Sequence, residues 1–390
     1  MDKDEIKSWF ESRRGELVAL AGRLIAARTV NPPGDEHRAA EVIERYLEPL
    51  GIASTRHEKE SGRTNLVARI GSGSPKVIVA GHVDTVPAGD GWETDPFSAL
   101  EKDQKLYGRG SADDKGPTAS MLLAGRWLKE HEEELSGEVV LIAAADEERG
   151  SRLGMKYLLA EGIVAGDWAI IPDAGGAMRT IFIAEKAAFF STLTSYGKQA
   201  HGSKPEEGVN AIKGIMEVLR RIDKMQFDVT RHRLLTPPTY NLGMIQGGVA
   251  PNVVPAKCTA ELDIRFLPGD SAEAITKKIE DICRDVEKEI PGARFEFTPR
   301  TVDMPMELPE DHPLVRAITE ETEATLGTAP KPAGLSGSTV AKFCMQRGIP
   351  AVNFAPGDGG CAHMANEFAS IDSLVSFAHV LTRIILRLLK

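Results

Sequence analysis

Cysteine is scarce and scattered: Cys258, Cys283, Cys344 and Cys361 are the only four, and no two of them form a CxxC pair. That excludes a disulfide framework or a cysteine-built zinc site and suits a reduced, cytoplasmic chain. Long apolar runs are missing too. The longest, VVLIAAA at 139–145, has the length of a buried strand, far short of the roughly 20 residues that cross a bilayer. The opening MDKDEIKSWFESRRGE is charged and lacks the apolar centre of a secretory signal, which again leads us to expect the cytoplasm. Positive charge is in deficit: 47 basic residues face 57 acidic ones, for a formal net charge of −10. Nucleic-acid binding needs a clustered basic surface, and an anionic membrane would repel this chain, so the expected partner is a small molecule.

Hydrophobic residues at 42% and charged residues at 27% give the balance of a globular protein. A chain of 390 residues exceeds one ordinary core, so two domains are expected. Trp9, Phe10, Leu17, Leu20, Leu24 and Ile25 recur at helical spacing before Asn31, Pro32, Pro33 and Gly34 stop the pattern. A second helix is expected over 36–50 and a closing one over 372–389. Short apolar runs at 77–80, 139–144, 168–171 and 351–354 read as strands buried on both faces. Helical stretches at 119–131 and 152–161 separate them, which is the alternation of an α/β domain with a mostly parallel or mixed sheet and helices on both faces. From about 188 the order becomes strand, helix, strand, strand, helix, strand, that of an α+β ferredoxin-like unit. We therefore expect a catalytic domain made of 1–186 and 301–390, with an inserted domain at 187–300.

Chemistry collects where those strands end. The run at 77–80 leads into His82 and Asp84; that at 139–144 into Asp146, Glu147 and Glu148; that at 168–171 into Asp173; and that at 351–354 into a glycine-rich loop ending at His363. A further acidic loop, GRGSADDKG at 108–116, carries Asp113 and Asp114. Ligands of open α/β sheets bind beyond the carboxyl ends of the strands. Taken singly, these residues have ordinary readings: a turn histidine, solvated glutamates, an aspartate capping a helix. Their joint placement points instead to metal binding, and imidazole with carboxylate suits zinc. Two ions sharing a carboxylate would polarise a carbonyl and activate water together, with a spare carboxylate moving the proton.

The stretches GHVDTVPAGDGWETDPF (81–97), LYGRGSADDKGP (106–117), DEERG (146–150), IIPDAGG (170–176), YGKQAHGSKPEEGVNAI (196–212), GGVAPNVVP (247–255) and CAHMANEF (361–368) run in order along nearly the whole chain. Together they resemble the co-catalytic zinc metallopeptidase family of acetylornithine deacetylase, succinyl-diaminopimelate desuccinylase, aminoacylase, carboxypeptidase G and dipeptidases. The resemblance implies hydrolysis of an amide bond in a small N-acyl amino acid or short peptide. It implies two divalent ions, zinc with cobalt or manganese as substitutes, held by His82 and Asp173 on one side and by Glu148 and His363 on the other, with Asp113 bridging. Asp84 would orient the His82 ring, Glu147 would be the general base, and the Asp113–Asp114 peptide would be cis. The inserted domain would serve as lid and homodimer surface, with His201 stabilising the oxyanion and Asn252 and Arg265 holding the substrate. The alternative for Arg265 is an ion-paired strand residue. Ser336 and Gly337, in a loop before an expected helix, could hold a carboxylate through backbone N–H groups. Aspartate at 173 is the habit of aminopeptidase and dipeptidase relatives, whereas the stretch at 29–34 and the chain length look like the deacylase branch. An inactive ligand-binding relative would have lost the base or a ligand, and all six positions are filled here.

Overall fold

The computed structural model describes residues 3–357 and 360–389, and it divides into two compact units. One comprises Met1–Ile183, Leu308–Ala333 and Thr339–Lys390; the other comprises Ala184–Glu307 with Gly334–Ser338. The inserted unit thus extends past residue 300, because the strand Arg294–Asp303 does, and it also takes a short later segment that sequence reasoning left with the catalytic domain.

The larger unit is organised by a mixed sheet. Four of its strands, Glu138–Ala144, Lys76–His82, Trp168–Ile171 and Ala351–Asn353, lie side by side in that order and are mutually parallel. All seven residues of Glu138–Ala144 are buried, as are the last six of Lys76–His82. That explains why their sequences are continuous apolar runs instead of alternating ones. Because the four are parallel, their carboxyl ends share one edge of the sheet. Thr64–Gly71 adds antiparallel to Glu138–Ala144, Ser54–Glu58 adds antiparallel to that strand, and Thr180–Glu185 meets Ala351–Asn353 in antiparallel sense. The closing helix Ile371–Leu388 packs on Lys115–Glu130, burying Leu374, Phe377, Leu381 and Ile385. The first helical stretch is split into Lys3–Ser12 and Arg14–Ala26, since Arg13 at φ −106° and ψ 14° leaves helical geometry.

The inserted unit has strands Ala188–Tyr196, Thr239–Gly247, Lys257–Arg265 and Arg294–Asp303 and helices Ala211–Ile222 and Ala272–Glu289, in the expected order. Its sheet is antiparallel throughout, with Thr239–Gly247 and Arg294–Asp303 at the edges. Phe189, Leu193, Ile215, Leu262, Ile275 and Ile279 form its own core.

Candidate metal centre

His82 is the last residue of its strand and only 2% exposed. Gly81 before it lets the chain at 114 approach: a Cβ there would stand 2.7 Å from Asp114 Oδ2. That oxygen accepts the His82 backbone N–H at 3.0 Å. The His82 ring is held from behind, with Nδ1 3.1 Å from the Asp84 carbonyl oxygen and 3.4 Å from Asp84 Oδ1. A carbonyl or carboxylate at one ring nitrogen fixes the tautomer and turns the other nitrogen toward the site. Here that nitrogen, Nε2, stands 2.9 Å from Asp113 Oδ1.

Asp113 serves both halves of the site. Its second oxygen lies 3.1 Å from His363 Nε2, and the same Nε2 is 3.2 Å from Glu148 Oε2. Ligand atoms of His82, Asp113 and Asp173 all fall within 4.8 Å of one another, and so do those of Asp113, Glu148 and His363. The Asp113–Asp114 peptide is cis, as the resemblance implied. The glycine-rich loop before His363 includes residues 358 and 359, which lie outside the described residues.

Asp84 is fully buried and organises the acidic turn. Its Oδ1 accepts the Glu147 N–H at 3.0 Å, and its Oδ2 accepts the Glu148 N–H at 3.2 Å and Asn31 Nδ2 at 2.9 Å. Beneath the turn, Asp146 has a φ of 61°. Its N–H donates to Glu36 Oε1 at 3.2 Å, and its carboxylate accepts from Arg63, Asn31 and the Leu153 N–H. Asn31, Glu36 and Arg63 are supporting residues that sequence reasoning did not single out, while Asp114 and Asp146 were named there without this supporting role. Only the juxtaposition of Asn31 and Glu36 with the motifs 81–97 and 146–150 would have hinted at them.

The electrostatics are those of crowded carboxylates. Burial, then the neighbouring charge of Asp173, pushes the Glu147 carboxyl well above its ordinary range. Burial and the Asp113 charge push Asp173 up to about 7. Asp113 is half-buried, and although burial opposes its charged form, hydrogen bonds from His363 and His82 hold it below the usual carboxylate range. His363 is pushed up to about 10 by its bonds to Asp113 and Glu148. For His82, burial opposes the charged form but the bonds to Asp113 and Asp84 outweigh it, so its pKa is raised. Like charges this close hold protons unless a cation replaces them. Two three-residue nitrogen and oxygen donor sets sharing one carboxylate fit a pair of divalent ions.

Residues 78–387 match the pattern of the peptidase family M20/M25/M40. The chain belongs to that family. Membership makes it a metallopeptidase or amidohydrolase. It is 30% identical over 364 residues to the acetylornithine deacetylase of Vibrio parahaemolyticus, covering 90% of this chain and 92% of that one. Its fold is that of the aminopeptidase PepT from Bacillus cereus, with a TM-score of 0.81 at 23% identity over 97% of this chain and 99% of the other. The YXEP protein of Bacillus subtilis, described as a dinuclear metal binding peptidase of the same family, matches with a TM-score of 0.73 at 17% identity, covering 97% and 99%.

The remaining predicted residues lie in the inserted unit. His201 is exposed, its Nδ1 2.7 Å from Ser203 Oγ and accepting the Ser203 N–H at 3.1 Å. Asn252 is exposed and its carbonyl accepts the Gly202 N–H at 2.7 Å. Arg265 forms a two-pronged ion pair with Asp263 of its own strand at 2.7 and 3.1 Å, in line with the ion-paired reading. Ser336 and Gly337 are exposed just past the strand Lys331–Leu335, and Ser336 Oγ is 3.2 Å from Thr236 Oγ1. The helix expected after them is only Ala341–Gln346, and its Ala341 N–H is already taken by Thr339 Oγ1 at 3.1 Å. Among the described residues, no helix is long and apolar enough to cross a membrane.

Proposed function

We propose that the chain is a two-metal deacylase that removes the acyl group from a small N-acyl amino acid, with His82 and Asp173 on one ion, Glu148 and His363 on the other, and Asp113 bridging. The observation that carries the two-metal centre is the shared position of Asp113, one oxygen facing His82 and the other His363. Bound there, zinc, or cobalt or manganese in its place, would supply Lewis acidity toward the scissile carbonyl and ease deprotonation of the attacking water. Glu147 accepts the water proton and delivers it to the leaving amine. Its carboxyl belongs to neither of the two donor sets, which leaves it available for that exchange. Asp84 keeps the His82 ring and the Glu147–Glu148 backbone in register. His201 and Asn252 carry the roles that the family resemblance implies, His201 toward the oxyanion and Asn252 toward the substrate's polar end. Arg265 can hold a substrate carboxylate only by sharing or releasing Asp263. The exposed edge strand Thr239–Gly247, with Met244 67% exposed, supports a homodimer formed through this unit. We place the enzyme in the cytoplasm on its few, scattered cysteines, which form no CxxC spacing.

The deacylase reading rests on full-length similarity to proteins named acetylornithine deacetylase. Asp173 favours a second reading, an aminopeptidase or dipeptidase needing a free amine. Zinc- or cobalt-loaded protein should hydrolyse N-acetyl amino acids faster than the matching dipeptide with a free N-terminus. The reverse preference would select the peptidase, and full activity in chelator-treated, metal-free protein would refute both.

A further inference from the structure

The stretch CAHMANEF supplies His363, but its glutamate has no part in the chemistry above. Glu367 is fully buried. Its Oε1 accepts the backbone N–H groups of Ala112 at 2.8 Å and Asp113 at 3.1 Å. Its Oε2 accepts the Gly110 N–H at 3.1 Å and Arg109 Nη1 at 2.5 Å. Its own carbonyl accepts the Gly108 N–H at 3.0 Å, extending the pairing of Phe368–Ser370 with Lys105–Tyr107. One residue therefore satisfies five donors of the loop 108–113. Arg109, 1% exposed, reaches on to the carbonyls of Ala88 at 3.2 Å and Pro87 at 3.4 Å, in the loop that follows His82 and Asp84. The loop has little slack: Gly110 sits at φ +89°, and a Cβ there would stand 2.9 Å from Lys115 Cδ.

A carboxylate that accepts from four N–H groups of one turn sets where that turn points. We propose that Glu367 is the positioning residue of the metal centre, holding Asp113 at its bridging place and tying it to His363 on its own segment, so that both donor sets share one frame. This rests on the assignment of Asp113, Glu148 and His363 as metal ligands. A glutamine has nearly the same shape but replaces one oxygen by an NH2 group, which would face two N–H donors with nothing to accept them. Loss of such an outer partner weakens metal affinity by about 10–100-fold.

The test measures zinc stoichiometry and affinity by competition with a chromophoric chelator, alongside thermal unfolding of the metal-free protein. Glu367→Gln should bind zinc at least about tenfold more weakly than wild type. Glu321→Gln is the control: it breaks a partly buried pair with Arg383, remote in sequence from every ligand, and should lower the melting temperature while leaving zinc affinity unchanged. If Glu367→Gln does not fold, Arg109→Lys decides. It keeps the charge but cannot reach Glu367 and both carbonyls at once, and it should also weaken zinc. Wild-type zinc affinity in whichever of the two folds overturns the proposal, and so does an equal zinc loss in the Glu321 control. Failure of the wild type itself to bind two ions would instead overturn the two-metal assignment, and the positioning role with it.

Discussion

Replacing Arg63 by methionine should destabilise the larger unit by an amount that depends on pH. Arg63 donates to both oxygens of Glu36 at 2.7 Å and to Asp146 Oδ1 at 3.2 Å. Glu36 is fully buried and Arg63 only 14% exposed, so solvent cannot replace the lost partner. Removing one partner of a buried pair costs about 3–5 kcal/mol, because the other charge stays behind. Glu36 already has a raised pKa, from burial first, with the Arg63 hydrogen bond pulling the other way. Without Arg63 that pKa rises further. A carboxyl whose folded pKa exceeds its unfolded value binds more protons in the native state, so stability falls as pH rises between the two values. Each pH unit inside that window is worth up to about 1.4 kcal/mol. The loss should therefore be largest at about pH 8 and smaller by 1 kcal/mol or more at about pH 5.5. Urea unfolding of chelator-treated wild type and variant at both pH values measures it, free of stabilisation by bound metal. A loss under about 1 kcal/mol at about pH 8, or an equal loss at both pH values, would refute the reasoning. A correct result links the segment near Glu36 to the turn that aims Glu147 and Glu148.

Glu147→Gln should retain both ions by elemental analysis while turnover drops by about 10²–10⁴-fold, since it removes the proton shuttle and not a ligand. Unchanged turnover would take Glu147 out of the mechanism. His201→Ala should lower kcat by about 10²-fold or more with metal content unchanged, the scale set by loss of one oxyanion donor. Steady-state kinetics showing wild-type kcat would place oxyanion stabilisation elsewhere.

Much of the centre could be read from local pattern. A strand buried on both faces must be apolar throughout, so the runs at 77–80, 139–144, 168–171 and 351–354 stood out, and the polar residues following each were conspicuous. The inserted unit was legible for a similar reason, since helix and strand periods differ. Supporting residues other than Asp84 were not legible. Glu36 meets Asp146 across 110 positions and Glu367 meets Arg109 across 258, and nothing near either glutamate marks it as buried. After Ser336 and Gly337 a glycine- and serine-rich loop before an apolar stretch looks like a helix start, and six residues, Ala341–Gln346, became helical there.

By itself the sequence determined the element types, the loops that carry ligands and the kind of chemistry, because burial period and donor chemistry are properties of short segments. Only the tertiary structure decided that one oxygen of Asp113 faces His82 and the other His363, that Asp84 also accepts the Glu147 and Glu148 N–H groups, that Glu367 accepts N–H groups of the loop 108–113, and that Arg265 is paired within its strand. Those outcomes depend on which distant donors and acceptors are desolvated together. In a buried site each polar group must find a partner, and strand order and chain crossings determine which partners are within reach.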